Sequence, residues 1–178
     1  MKNPPIDPED LRPYFYWLGL TFHTCHQLEY GVKTVLVTMA DMGFDGFDLG
    51  EMIAIIEDEK KKTLGQVIEL LRRRVTLRDG WAITLTTGLE ARNRFVHRFL
   101  SEVNGRVADP STRADVIAEV KAIRKVVLEA DGTVQQILEA LYDHAGLNWQ
   151  ELRAKWAEDI RKINAPATSE PPDANGAG

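Results

Sequence analysis

The sequence predicts an all-α fold, a helical bundle of four to six helices with two of them long. Three observations lead there. Over two long stretches apolar residues recur at alternating steps of four and three, the spacing of one helix face. No segment alternates at period two for long enough to make a convincing strand. Capping and breaking signals built from Gly, Asn and Asp-Pro fall between the periodic stretches, where helices stop and restart.

Asp7-Pro8 supplies an N-cap and a first-turn proline, and Pro13 is placed to restart the helix, because proline is tolerated early in a helix and poorly inside it. Leu11, Phe15, Leu18, Phe22, Cys25, Glu29, Val32, Leu36 and Met39 then form one stripe, in which Glu29 is the member that does not suit a core. Between Asp41 and Gly50 three glycines break the helix, and a short one follows from about Leu49 to Asp58. Thr63-Leu64-Gly65-Gln66 has the form of a capping box and opens a helix through Arg74. After Arg78-Asp79-Gly80, the residues Trp81, Leu85, Leu89, Val96, Leu100 and Val103 mark a third main helix. Thr84, Thr86 and Thr87 lower its propensity slightly, and Asn104-Gly105 is placed to end it. Asp109-Pro110 repeats the cap-plus-proline signal. A second long stripe follows: Val116, Val120, Ile123, Val127, Ala130, Val134, Ile137 and Leu141, with Gly132 as a weak point and Gly146 as the stop. Asn148 to Glu151 again resembles a capping box and opens an amphipathic helix carrying Leu152, Trp156, Ile160 and Ile163. Residues 165–178 offer nothing to pack and are expected to be a disordered tail behind one helical domain, 1–164.

A chain of 178 residues with 44% hydrophobic and 28% charged residues can bury a core without staples. Its single cysteine, Cys25, cannot form an internal disulfide. The opening residues are acidic and proline-rich, unlike a secretory leader, and no apolar run approaches the ~20 residues of a membrane span. The cytoplasm is therefore the expected compartment, with no membrane partner. A net charge of −5 argues against a general nucleic-acid coat, but the charge is uneven. Residues 1–60 carry 4 Lys/Arg against 11 Asp/Glu, residues 61–113 carry 11 against 5, and residues 114–178 carry 7 against 11. A basic middle segment on an acidic body suits an anionic ligand.

Most local signatures of chemistry are missing. His23 and His26 stand one turn apart around Cys25, but no second pair matches them and a metal site needs three or four ligands. Asp41, Asp45 and Gly46 imitate part of a calcium loop, yet Gly43 and Met52 occupy positions where ligands belong. There is no phosphate-cradling glycine loop after a strand, no Gly-x-Ser-x-Gly elbow and no Cys-x-x-Cys. No metal or cofactor is expected.

Arg92-Asn93-Arg94-Phe95-Val96-His97 remains, followed by Phe99. It resembles the Arg-x4-6-His motif of the HEPN superfamily, small all-helical domains that include many prokaryotic RNase toxins. The likeness extends to the Asn after the arginine, the Val-His junction and the aromatic that follows. It is close over this helix and covers the rest of the chain only as a helical layout. On an ideal helix Asn93 and His97 share a face, whereas Arg92 lies well round from His97 and only its long side chain could reach the same point.

The resemblance implies a homodimer in which two copies of the motif helix meet across a two-fold axis and form a composite cleft. It further implies metal-independent cleavage of RNA, of toxin or defence type, leaving a 2′,3′-cyclic phosphate and a 5′-hydroxyl. In that scheme His97 moves the proton and Arg92 stabilises the scissile phosphate, while Asn93 orients one or the other. Arg94 and Arg98 would contact RNA. Some HEPN families also carry a Glu-x3-Lys element, matched here by Glu29 and Lys33, an i, i+4 pair with the carboxylate first. Glu29 on an apolar stripe needs a partner such as Arg92 or Arg94, because an unpaired buried carboxylate is costly. A separate antitoxin protein would be the regulatory partner. The same fold without activity, a binding or dimerisation module, and an unrelated helical scaffold are the alternatives.

Overall fold

A computed structural model describes residues 8–57 and 63–163 of the chain. Its elements are α1 (Pro8–Asp41), α2 (Leu49–Glu57), α3 (Leu64–Arg74), α4 (Asp79–Arg94), a π-helical turn (Phe95–Phe99), α5 (Leu100–Ala108), α6 (Pro110–His144) and α7 (Trp149–Ile163). Because α4, the π turn and α5 follow without a break, they form one continuous rod. Among the described residues there are six such rods and no strand. The all-α bundle with two long helices is therefore the fold. The capping role of Asp7 and the tail at 165–178 lie outside the described residues.

The chain divides into two compact units, Met1–Leu141 and Tyr142–Gly178. In the second, Gly146 adopts φ +72° and stops α6, a conformation that costs little only without a Cβ. The Asn148 carboxamide oxygen then accepts from the N–H groups of Gln150 and Glu151, starting α7, and the rings of Tyr142 and Trp149 stack at 5.0 Å.

In the first unit the local signals act as physical chemistry requires. The Thr63 hydroxyl accepts from the Gln66 N–H and the Gln66 side chain accepts from the Thr63 N–H, which completes the capping box of α3. The Asp109 carboxylate accepts from the Ser111 N–H at 2.9 Å, and this bond holds its carboxyl below the usual range. Gly43 and Gly46 take positive φ in the α1–α2 connection. All eight members of the α6 stripe are buried. They join Leu28, Val32 and Leu36 of α1 and Val67, Ile68 and Leu71 of α3 in the set of buried apolar side chains. Each of the Val, Leu and Ile side chains is worth roughly 1.5–3 kcal/mol relative to exposure. Gly88 and Gly31 let α4 and α1 approach α6 closely. A Cβ at Gly88 would collide with that of Ala130, and one at Gly31 would lie 2.9 Å from a methyl of Val134.

Five expectations are corrected. Pro13 does not restart a helix but sits inside α1, where the missing bond falls within its second turn. Asn104-Gly105 does not end the third main helix, which continues to Ala108, and Gly132 does not interrupt α6. The first half of the α1 stripe faces outward, with Phe15 57% and Phe22 63% exposed, while Tyr14, Thr21, Thr24 and Leu28 take the buried positions. Thr21 and Thr24 tolerate this because their hydroxyls donate to the carbonyls of Trp17 and Leu20. Finally, Val96 and Leu100 are exposed, and Phe95 and Phe99 fill the core in their place. The π turn is the cause, since its i→i+5 bonding changes the rotation per residue and shifts the buried face.

Candidate functional site

Three elements converge on one cleft of about 510 Å³. The start of α3 gives Thr63, Leu64 and Gly65, and α1 gives Glu29. The last turn of α4 gives Arg92 and Asn93, and the π turn gives His97 and Arg98. A Cβ at Gly65 would lie in ordinary contact with the Leu89 side chain at 3.6 Å, so the wall at this point is packed against α4.

The π turn also answers the geometric difficulty of the motif. On an ideal α-helix, residues five apart diverge by roughly 140°. The wider turn over Phe95–Phe99 narrows that offset, so that Arg92, Asn93 and His97 line the same cleft. The turn is anchored from within by Phe95 and Phe99, both buried, with rings stacked at 5.7 Å. One inserted turn thus re-aims His97 and rotates the apolar face.

Arg92 is held by named bonds. Its Nη2 donates to Glu29 Oε2 at 2.8 Å and its Nη1 donates to Asn93 Oδ1 at 3.1 Å. Its Nε is buried with no hydrogen-bond partner among the described residues. A guanidinium carries five N–H donors, so two are spent here and the remaining hydrogens on Nη1 and Nη2 are left for a ligand. Glu29 is shared, its Oε1 lying 3.3 Å from the Lys33 ammonium, which is itself buried with 7% exposure. One carboxylate between two cations leaves a net positive charge at the cleft floor. Of the two arginines that the sequence offered as partners for Glu29, the structure selects Arg92.

Asn93 gives its carbonyl oxygen to Arg92 and keeps its NH2 donors. His97 and Arg98 are exposed, and their side chains make no hydrogen bond among the described residues, which leaves both able to turn toward a ligand. Arg94 stands apart. It bonds Glu102 at 2.9 Å and Glu119 at 3.4 Å, and Arg106 bonds the other oxygen of Glu119. This network ties the end of α4 to α5 and α6 and holds the Glu119 carboxyl below its usual range, with the Arg106 bond as the largest cause. Arg94 therefore points away from the residues it was grouped with. Conversely, sequence reasoning missed Thr63, Leu64 and Gly65 as cleft walls. The capping box was visible there, but nothing local could say that this helix start faces Arg92.

Beside the cleft, Cys25 is buried and its thiol is pushed up to about 11 by desolvation, with the Arg92 charge acting in the opposite direction. On the same rod, Val96 and Leu100 join Phe15, Leu18, Gly19, Phe22 and Phe95 around an apolar groove of about 360 Å³. His97 and Arg98 lie in sequence between Val96 and Leu100, both exposed in that groove. Comparison of the chain with protein-family models, with curated proteins and with solved structures found no match.

Proposed function

We propose that this protein is a metal-independent endoribonuclease of toxin or defence type, related to the HEPN superfamily and active as a homodimer. The observation that carries this reading is the gathering of His97, Asn93, Arg92 and Arg98 in one cleft through the π turn. The reaction needs only the substrate's own nucleophile. One imidazole takes the proton of the ribose 2′-hydroxyl as that oxygen attacks the adjacent phosphorus, and a second imidazole protonates the departing 5′-oxygen. The products are a 2′,3′-cyclic phosphate and a 5′-hydroxyl. Arg92 and Arg98 neutralise charge on the phosphoryl oxygens, and fixed guanidinium donors such as those of Arg92 need little rearrangement during the reaction. DNA lacks the 2′-hydroxyl and would not be cut.

The second imidazole comes from a second copy. The groove beside the motif supports this reading, since Phe15, Phe22 and Leu100 are each more than half exposed on a contiguous face. Burying that face against itself across a two-fold axis would bring the two motif rods together. Leu100→Glu is expected to convert dimer to monomer in analytical ultracentrifugation and to remove cleavage, with the helical circular-dichroism signal unchanged.

His97→Ala is the direct test. Loss of a proton-transfer group costs about 10²–10⁴-fold in rate. Cleavage of a labelled single-stranded RNA should fall by that factor while the melting temperature is retained, and undiminished cleavage by the variant removes the proposal. A second reading is a dimerising module without activity, regulated by or bound to a separate protein such as an antitoxin. It draws support from the Glu29–Arg92 pair, which already engages the guanidinium that a phosphate would need. A wild-type protein that dimerises and binds RNA but releases no cyclic phosphate would favour it.

A further inference from the structure

Because α3 and α4 are antiparallel neighbours, the groove between them has two ends. At one end the start of α3 meets the end of α4 in the cleft described above. At the other the last turn of α3 meets the start of α4, where a second cavity of about 330 Å³ is lined by Arg72, Arg73, Arg74, Val75, Leu77 and Ala82. Four arginines, Arg72, Arg73, Arg74 and Arg78, fall within seven residues here.

Their partners differ. Arg74 is committed to structure: it donates to the Gly46 carbonyl, lies 3.8 Å from Glu51 and stacks over the Phe47 ring. Arg73 bonds Glu69 at 2.9 Å, an exposed pair of small worth. Arg72 is exposed and has no partner among the described residues. Arg78 is exposed and lies over the Trp81 ring at 4.9 Å, and the indole N–H of Trp81 is pinned by Gln136 at 3.2 Å. Cations in a last helical turn compensate the helix end, but that end carries only about half a negative charge. From Glu69 to Ala82 the chain holds four arginines and two acids, Glu69 and Asp79, and Glu51 pairs with Arg74, so one positive charge remains in excess, still more than the helix end can use.

We infer that Arg72 and Arg78 form a second phosphate-binding station for the same RNA strand whose scissile phosphate lies in the His97 cleft, so that the substrate is an extended single strand and not a mono- or dinucleotide. This rests on the ribonuclease reading. The eleven residues of α3 separate the two stations by about 16 Å at 1.5 Å per residue. At roughly 3.4 Å per nucleotide along a stacked strand, that distance spans about five nucleotides. The Arg78–Trp81 stack offers a flat surface next to the station, and base stacking on aromatic rings is the sequence-tolerant way proteins hold single strands.

The experiment uses full-length protein carrying His97→Ala, which should bind RNA without cutting it. Fluorescence anisotropy is measured with labelled oligouridines of four and twelve nucleotides over a range of salt concentrations. Adding Arg72→Ala and Arg78→Ala is expected to weaken the twelve-mer about tenfold. It should also lower the slope of log affinity against log salt by about 1.4, at roughly 0.7 for each single-strand phosphate that is no longer neutralised. Affinity for the four-mer should not change. Arg72→Lys with Arg78→Lys should restore the slope, and Arg72→Ala alone should give half the effect should Arg78→Ala impair folding. An unchanged twelve-mer slope overturns the inference. If wild-type protein still cuts that RNA, the ribonuclease reading survives the loss; if wild type neither cuts nor binds it, both fall. Loss of binding to polyglutamate without loss of RNA binding would reassign the station to an acidic protein and overturn the inference.

Discussion

Two long helical rods of similar length behave in opposite ways. Along α6 every residue of the four-three stripe from Val116 to Leu141 is buried, even across Gly132. Along the α4–α5 rod the stripe holds at Leu85 and Val103, but between them Val96 and Leu100 are exposed and Phe95 and Phe99 take the core. The difference lies in what each rod carries. Helix α6 contributes no residue to the cleft, and the periodicity of its stripe determines its buried face. The other rod must fill space and also present His97 beside Arg92 and Asn93, and an unbroken α-helix would separate the ends of that motif. A local rule is broken at the turn where the candidate chemistry sits.

The comparison can be broken most decisively at the π turn itself. Phe99→Ala is expected to cost about 3–5 kcal/mol, the usual loss for a fully buried phenylalanine. Because Phe99 also anchors the turn that aims His97, RNA cleavage should fall further than the loss of folded protein explains. Ile123→Val on α6 provides the control. It should cost about 0.5–1.5 kcal/mol by chemical denaturation and leave the activity of the folded fraction unchanged. Equal ratios of activity to folded protein in the two variants would show that the π turn does no more than pack.

A smaller effect is expected where the two rods touch. Gly88→Ala drives a methyl into that of Ala130, so the rods must separate, at a cost of about 1–3 kcal/mol. A melting temperature at or above that of wild type would show that the approach of α4 to α6 is looser than described.

The smallest effect concerns Cys25, beside the cleft. Burial raises the Cys25 thiol to about 11 in the folded chain, from about 8.5 in an unfolded one. The folded state therefore holds its proton longer. Stability from this group is complete below about pH 8.5 and declines as pH rises toward 11. Alkylation by iodoacetamide at about pH 8.5, where an unfolded thiol is half ionised, should be much slower for native than for urea-unfolded protein. Equal rates would mean that the packing around Cys25 opens freely to solvent.

Much of this protein was legible in the residues themselves. The all-α class, the α6 face, the capping box at Thr63, the N-cap at Asn148 and the stops at Gly43 and Gly146 depend on interactions within a few residues. Such signals act wherever the chain goes. The grouping of Arg92, Asn93 and His97 was legible as a motif, and the need of Glu29 for a cationic partner followed from its place on an apolar stripe. Tertiary structure alone decided that Arg92 and not Arg94 meets Glu29, and that Arg94 turns to Glu102 and Glu119. It alone set the start of α3 as the cleft wall and left Phe15 and Phe22 facing outward. These outcomes depend on which helices become neighbours and on one turn of altered rotation. A periodic stripe read along a single helix carries no information about either.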